Sequence, residues 1–132
     1  MKTSLLCALR DFRPRENHSP TENFITEAFA WLLMNHDAFS QFYLNRIRLK
    51  LSLSEDETTQ PIVWETRRNL GGVFPDLVGT VEETAFIFEH KAWSPLHANQ
   101  IENYRQAAKE SFGEGNCHII LVAAGQHQFA QA

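Results

Sequence analysis

Cysteine is scarce: Cys7 and Cys117 are the two in 132 residues, far apart and without paired neighbours. That excludes a disulfide framework and a zinc knuckle, and fits a reducing compartment. An excess of positive charge is also missing, since 12 Lys and Arg face 16 Asp and Glu for a net charge of -4. Overall basicity therefore cannot hold a nucleic acid; a polyanion would need local basic patches, a bound metal or a further domain. No apolar run approaches the length of a membrane span, so no membrane partner is expected. The run from Met1 to Leu9 is too short for a signal sequence and Arg10 follows it at once, so the expected location is cytoplasmic. There Asn17-His18-Ser19 is an idle glycosylation pattern. Internal repeats and low-complexity segments are absent.

What is present suits one compact domain over 1–132, expected to be the N-terminal part of a longer protein. The chain is 43% hydrophobic, with ten Phe and three Trp to fill a core. Residues 3 to 10 can form a short helix, closed off by Pro14. Ser19-Pro20-Thr21-Glu22 combines an N-cap Ser, a Pro at the first helical position and a Glu three residues after the cap. It opens a helix through Phe24, Ile25, Phe29, Leu32 and Leu33 to about Asn35. Asp37 is expected to cap a second helix, through Phe39, Phe42, Tyr43 and Ile47. Ser52 to Gln60 reads as a polar loop ending at Pro61.

Three strands are predicted next, over Ile62–Asn69, Val73–Thr80 and Ala85–Lys91, with a turn at Gly71-Gly72. Ser94-Pro95 repeats the cap-plus-Pro signal and opens a helix from about Leu96 to Phe112. Gly113 to Asn116 breaks it, and His118–Val122 is a short buried strand, expected to pair in parallel after the helical crossover. Gly125 to Ala132 carries no structural signal. The class is α/β, with a mixed four-stranded sheet flanked by helices.

The second and third strands make a hairpin whose geometry gathers charge. With Glu82-Glu83 as the turn, Asp76 lies opposite Glu89, and opposed residues share a face. Lys91, two residues on, shares that face, while His90 takes the other. Two carboxylates a few ångströms apart repel unless a cation sits between them. Mg²⁺ or Mn²⁺ is the natural one, because hard cations prefer carboxylate oxygens and keep several waters. Lys91 can then orient a water or stabilise negative charge in a transition state.

Phe74-Pro75-Asp76 followed by Glu89-His90-Lys91 resembles the signature of the PD-(D/E)XK nuclease superfamily. Gln100-Ile101-Glu102-Asn103-Tyr104 is similar to the Q-x-x-x-Y motif of its RecB-like branch. Glu22 resembles the helical glutamate that many members place ahead of the strands, and the order of elements resembles the restriction-endonuclease-like αβββαβ core. The resemblance covers roughly residues 20 to 123. It implies a metal-dependent nuclease acting on nucleic acid, DNA before RNA, with Mg²⁺ (or Mn²⁺) on Asp76 and Glu89. It implies that Lys91 assists the attacking water, that Glu22 joins the catalytic set, and that Gln100 and Tyr104 support the site or contact the backbone of the nucleic acid. Arg105, with Arg67, Arg68 and Lys109, is a candidate phosphate contact.

Each residue also has a plainer reading. Asp76 can be a strand-end residue after Pro75, and Glu89 with Lys91 a solvated strand edge. Against this, Phe86, Ile87 and Phe88 predict a central strand, where bare charge is costly. The capping box alone accounts for Glu22, although helical projection puts it with Ile25, Phe29, Leu32 and Leu33, and puts Glu27 on the solvated side. Gln100 can be a surface residue beside a Tyr104 packed on the sheet. Trp64 and Trp93 are expected in core packing, and the six histidines in structural or surface roles. A catalytically silent module of the same fold, serving binding or assembly in a larger protein, is the second expectation. A third is a domain active only when oligomerised, as in antiviral defence.

Overall fold

The computed structural model describes residues 20–53, 61–91 and 99–123. Helix α1 (Pro20–Asn35) and helix α2 (Asp37–Lys50) precede strands β1 (Val63–Thr66), β2 (Leu77–Val81) and β3 (Thr84–Lys91). Helix α3 (Gln100–Phe112) and strand β4 (Cys117–Ala123) complete the described elements. The expected helix at 3–10, the Ser19 cap, most of the loop before Pro61, the Ser94-Pro95 opening with Trp93, and the tail from 125 lie outside the described residues.

The described strands form one mixed sheet in the order β1-β2-β3-β4. β1 and β3 run antiparallel to β2, and β4 runs parallel to β3 after the α3 crossover. The fold is thus α/β with a mixed four-stranded sheet flanked by helices, as the order of sequence signals predicts. The hairpin turns at Glu82-Glu83, and its ladder runs from Leu77↔Phe88 to Val81↔Thr84, the expected register.

Several boundaries differ, each for a local reason. β1 stops at Thr66 because Arg67 takes a left-handed conformation, φ 56°. β2 starts at Leu77, not Val73: Leu70 and Val73 bridge across the Gly71-Gly72 turn instead, with Leu70 N–H donating to Val73 O at 2.8 Å. Both turn glycines have positive φ, as a two-residue hairpin loop demands. Asp37 is the first residue of α2 rather than its cap; extended His36 takes that position without a side-chain bond. Asp37 still favours the helix as an acid in its first turn. Helix α3 starts at Gln100, preceded by Asn99 at φ 61°; the expected start near Leu96 lies outside the described residues.

Side chains alternate across β3. Phe86 and Phe88 join Trp64, Leu77 and Val81 against Ala30, Leu33 and Leu44 of α1 and α2. Ile87 and Val78 face Tyr104, Ala107 and Ala108 of α3 on the other side. Trp64 is a core residue, as expected, and its indole N–H donates to Ser40 Oγ at 2.6 Å. Gly79 lies opposite Trp64 in the ladder; a Cβ there would stand 2.5 Å from Trp64 Cζ3, so the indole lies where only glycine leaves room. Among the described residues no helix is long and apolar enough to cross a membrane.

Candidate active site at the end of the central strand

The alternation that buries Ile87 carries Glu89 and Lys91 to the α3 face, and sends His90 with Phe88 to the α1–α2 face. Asp76 stands one residue before β2, just past the last ladder pair, Leu77↔Phe88, and its carboxylate reaches the backbone of β3 beside Glu89. All three charged residues are buried: Asp76 is 2% exposed, Glu89 0% and Lys91 2%. A solvated strand edge is thereby excluded, and three uncompensated charges at this depth would be strongly destabilising.

Their partners account for much of the compensation. Lys91 Nζ lies 3.1 Å from Glu89 Oε1. That ion pair lacks hydrogen-bond alignment, so the ammonium keeps its donors undirected. Gln100 Nε2 donates to the same Oε1 at 2.7 Å, and Tyr104 Oη donates to Glu89 Oε2 at 2.6 Å. Gln100 and Tyr104 follow one turn apart on α3, and both converge on Glu89. Gln100 is therefore no idle surface residue. The His90 backbone N–H donates to Asp76 Oδ2 at 2.8 Å, fixing that carboxylate against β3.

Burial pushes the Glu89 carboxyl up, and the Asp76 carboxylate adds to the rise; Tyr104 and Lys91 act in the opposite sense. Burial, with the Glu89 carboxylate second, pushes the Tyr104 phenol up, so it serves as a proton donor to Glu89. Two carboxylates that repel, beside one ammonium, form a locally anionic pair.

Glu22 is buried at 2% on the first turn of α1; burial lowers the His90 imidazole, with the Glu89 and then the Glu22 carboxylate acting against it. The face that α1 turns inward differs from its sequence projection. Glu22, Asn23, Thr26, Ala30 and Leu33 are buried, while Ile25 and Leu32 are exposed. α1 crosses the polar end of the sheet, where Thr26 Oγ1 and His90 Nδ1 hydrogen-bond at 2.8 Å. Glu27 is half-buried rather than solvated, 4.0 Å from Arg67.

His90 is the residue that sequence reasoning undervalued. It is 7% exposed, tying α1 through its ring and Asp76 through its backbone. Thr26 was invisible to apolar periodicity; a small polar residue facing inward on a helix was the available signal. The four candidate phosphate contacts are engaged elsewhere. Arg105 is exposed and meets Glu102 at 3.2 Å rather than the triad. Arg67 faces Glu27, Arg68 pairs with Glu65 at 3.2 Å and lies over the Phe112 ring, and Lys109 stands 3.8 Å from Glu114.

Asp76 and Glu89 are the donors this site offers to a hard cation. No group of three or more His, Cys, Asp or Glu suited to a metal ion occurs among the described residues. No protein-family model, no curated protein and no solved structure matches the chain.

Proposed function

We propose that the chain is a metal-dependent nuclease of the PD-(D/E)XK kind with a restriction-endonuclease-like core, hydrolysing phosphodiester bonds of nucleic acid, DNA before RNA. The observation that carries this reading is the convergence of Asp76, Glu89 and Lys91 in one buried volume, with Gln100 and Tyr104 bonded to Glu89. Enclosing two carboxylates and one ammonium opposes folding unless the arrangement serves chemistry.

Asp76 and Glu89 would hold Mg²⁺ or Mn²⁺. When bound, such a cation acidifies water and offsets charge on a phosphoryl oxygen. The other groups act on their own account. Lys91, with undirected donors, orients the attacking water or stabilises negative charge on the phosphoryl group. Gln100 and Tyr104 hold the Glu89 carboxylate in one orientation, and the His90 N–H does the same for Asp76. A cytoplasmic setting, additional domains or self-association in a longer protein, and a part in defence against foreign DNA belong to the same proposal.

The test is incubation of the purified chain with plasmid, linear duplex, single-stranded DNA and RNA. Each is run with Mg²⁺, Mn²⁺ or EDTA beside Asp76→Ala and Lys91→Ala. Cleavage that needs metal and is lost in both variants is the expected result. Retention of full cleavage by Lys91→Ala would overturn the roles assigned here. One observation favours a second reading, a silent module of the same fold: two metal-ligating side chains rather than three lie together among the described residues. Absence of both cleavage and calorimetric metal binding would select it.

A further inference from the structure

On the opposite side of β3 from Glu89, a cavity of about 310 Å³ opens between α1, α2 and the ends of β3 and β4. Its walls are apolar and aromatic: Ile25, Phe29, Tyr43 and Val122. The polar groups at its lining are Glu22, His90 and Lys91. We propose that this cavity receives one unpaired nucleobase of a strand whose phosphate lies at Asp76, Glu89 and Lys91. The inference rests on the nuclease reading and narrows its substrate to strands with an unstacked base: single strands, frayed ends or a base turned out of a duplex.

Continuity with the triad is the first support. Lys91 belongs to both places, and His90, which lines the cavity, holds Asp76 through its backbone. A nucleotide bound at the triad would thus have this cavity within the reach of the same strand end. The chemistry of the walls is the second. The Phe29 ring stands edge-on to Tyr43 at 4.8 Å and to His90 at 6.3 Å, so three rings cluster in one wall. Flat aromatic bases stack on such rings whatever their sequence. The buried Glu22 carboxylate disfavours a phosphate inside.

Size and exposure agree. The volume is at the small end for ligand sites, which suits one base and not a base pair. Two apolar side chains of the lining, Ile25 and Val122, are 48% and 38% exposed, and a bound base would cover them. A base can reach the cavity only after leaving its stack, which separates unpaired from paired substrates.

Ile25→Trp and Val122→Trp fill the cavity from positions exposed enough to spare the fold. With a single-stranded substrate the expected effect is a KM raised about tenfold, the stacking contribution of one base, with kcat within about twofold. An abasic nucleotide next to the cleaved phosphate should raise KM similarly in the parent chain and add little in either variant. Binding is read separately in EDTA, with an oligonucleotide carrying 2-aminopurine, whose fluorescence is quenched on stacking. Quenching by the parent chain that both Trp variants abolish supports the cavity even if no cleavage is found. Absence of quenching, or quenching unchanged in both variants, overturns it. Uptake of a hydrophobic dye without quenching of the oligonucleotide assigns the cavity to an apolar partner and overturns it as well. Loss of metal-dependent cleavage alone bears on the nuclease reading.

Discussion

Replacing Asp76 by Asn removes one of two like charges while leaving an amide oxygen to accept the His90 N–H. The Asp76 carboxylate helps hold the Glu89 carboxyl above its usual range, so in the metal-free chain the two repel. Two like charges about 5 Å apart at an effective dielectric of about 20 repel by about 3 kcal/mol, which sets the scale of the effect. The Lys91 ammonium offsets part of this, leaving an expected gain of about 1–2 kcal/mol. For a domain of this size that is a Tm raised by about 3–8 °C in EDTA. The pH dependence has a definite sign. The Glu89 pKa is higher folded than unfolded, so its ionised form opposes folding above the unfolded value, and the opposition fades as pH falls through the folded one. The advantage of Asp76→Asn therefore shrinks on acidification through that window. Saturating Mg²⁺ should stabilise the parent chain, by about 2.7 kcal/mol at a hundred times Kd, and the variant much less. Differential scanning calorimetry in EDTA and in Mg²⁺, across the acidic range, reads all three effects. An Asp76→Asn chain that melts lower in EDTA, at every pH, would show that Asp76 is a structural acceptor and not half of a repelling pair.

Three further outcomes are expected. Tyr104→Phe loses the 2.6 Å bond to Glu89; cleavage should fall at least about tenfold with little change in KM, and stability by about 1.5–3 kcal/mol in urea titration. Thr26→Val strands the buried His90 Nδ1 and should destabilise by about 1–3 kcal/mol, whereas Thr26→Ser should not; equal denaturation midpoints for Val and Ser would refute the link between α1 and β3. Gly79→Ala drives a methyl into Trp64 and should lower stability by about 1–3 kcal/mol, with altered tryptophan fluorescence.

Much of the architecture was legible because local signals agreed. Turn residues Glu82-Glu83 fix the hairpin register as far as Leu77↔Phe88; the expected pair of Asp76 with Glu89 lies one step past that ladder, where Asp76 meets β3 through its side chain and the His90 N–H. Spacing set Gln100 and Tyr104 on one helix face; their role in supporting the site came from the motif resemblance, and their bonds to Glu89 from neither. The inner face of α1 was not legible in the same way. Apolar periodicity pointed Ile25 and Leu32 inward, yet Asn23 and Thr26 are buried there and those two are exposed. The rule assumes an apolar surface opposite, and β3 presents His90 at that level. The cap of the second helix falls one residue before the expected Asp37, because cap preferences do not reveal the backbone angles of His36. Ion pairs of the surface cations depend on tertiary neighbours, as Arg67 with Glu27 shows.

β3 is hydrogen-bonded to β2 on one side and β4 on the other, and packed by helices on both faces. Local opening in proteins begins at edges and frays inward, so the amides of a strand held on four sides exchange with solvent water only when the whole domain opens. Glu89 and Lys91 lie past the last β2 pair, Leu77↔Phe88, and are laddered to β4 alone, so their amides should exchange ahead of those of Phe86 to Phe88. Transient loss of edge strand β1 would leave their spacing intact. Opening confined to this strand end would thus disperse the charged cluster while leaving the centre of the sheet folded.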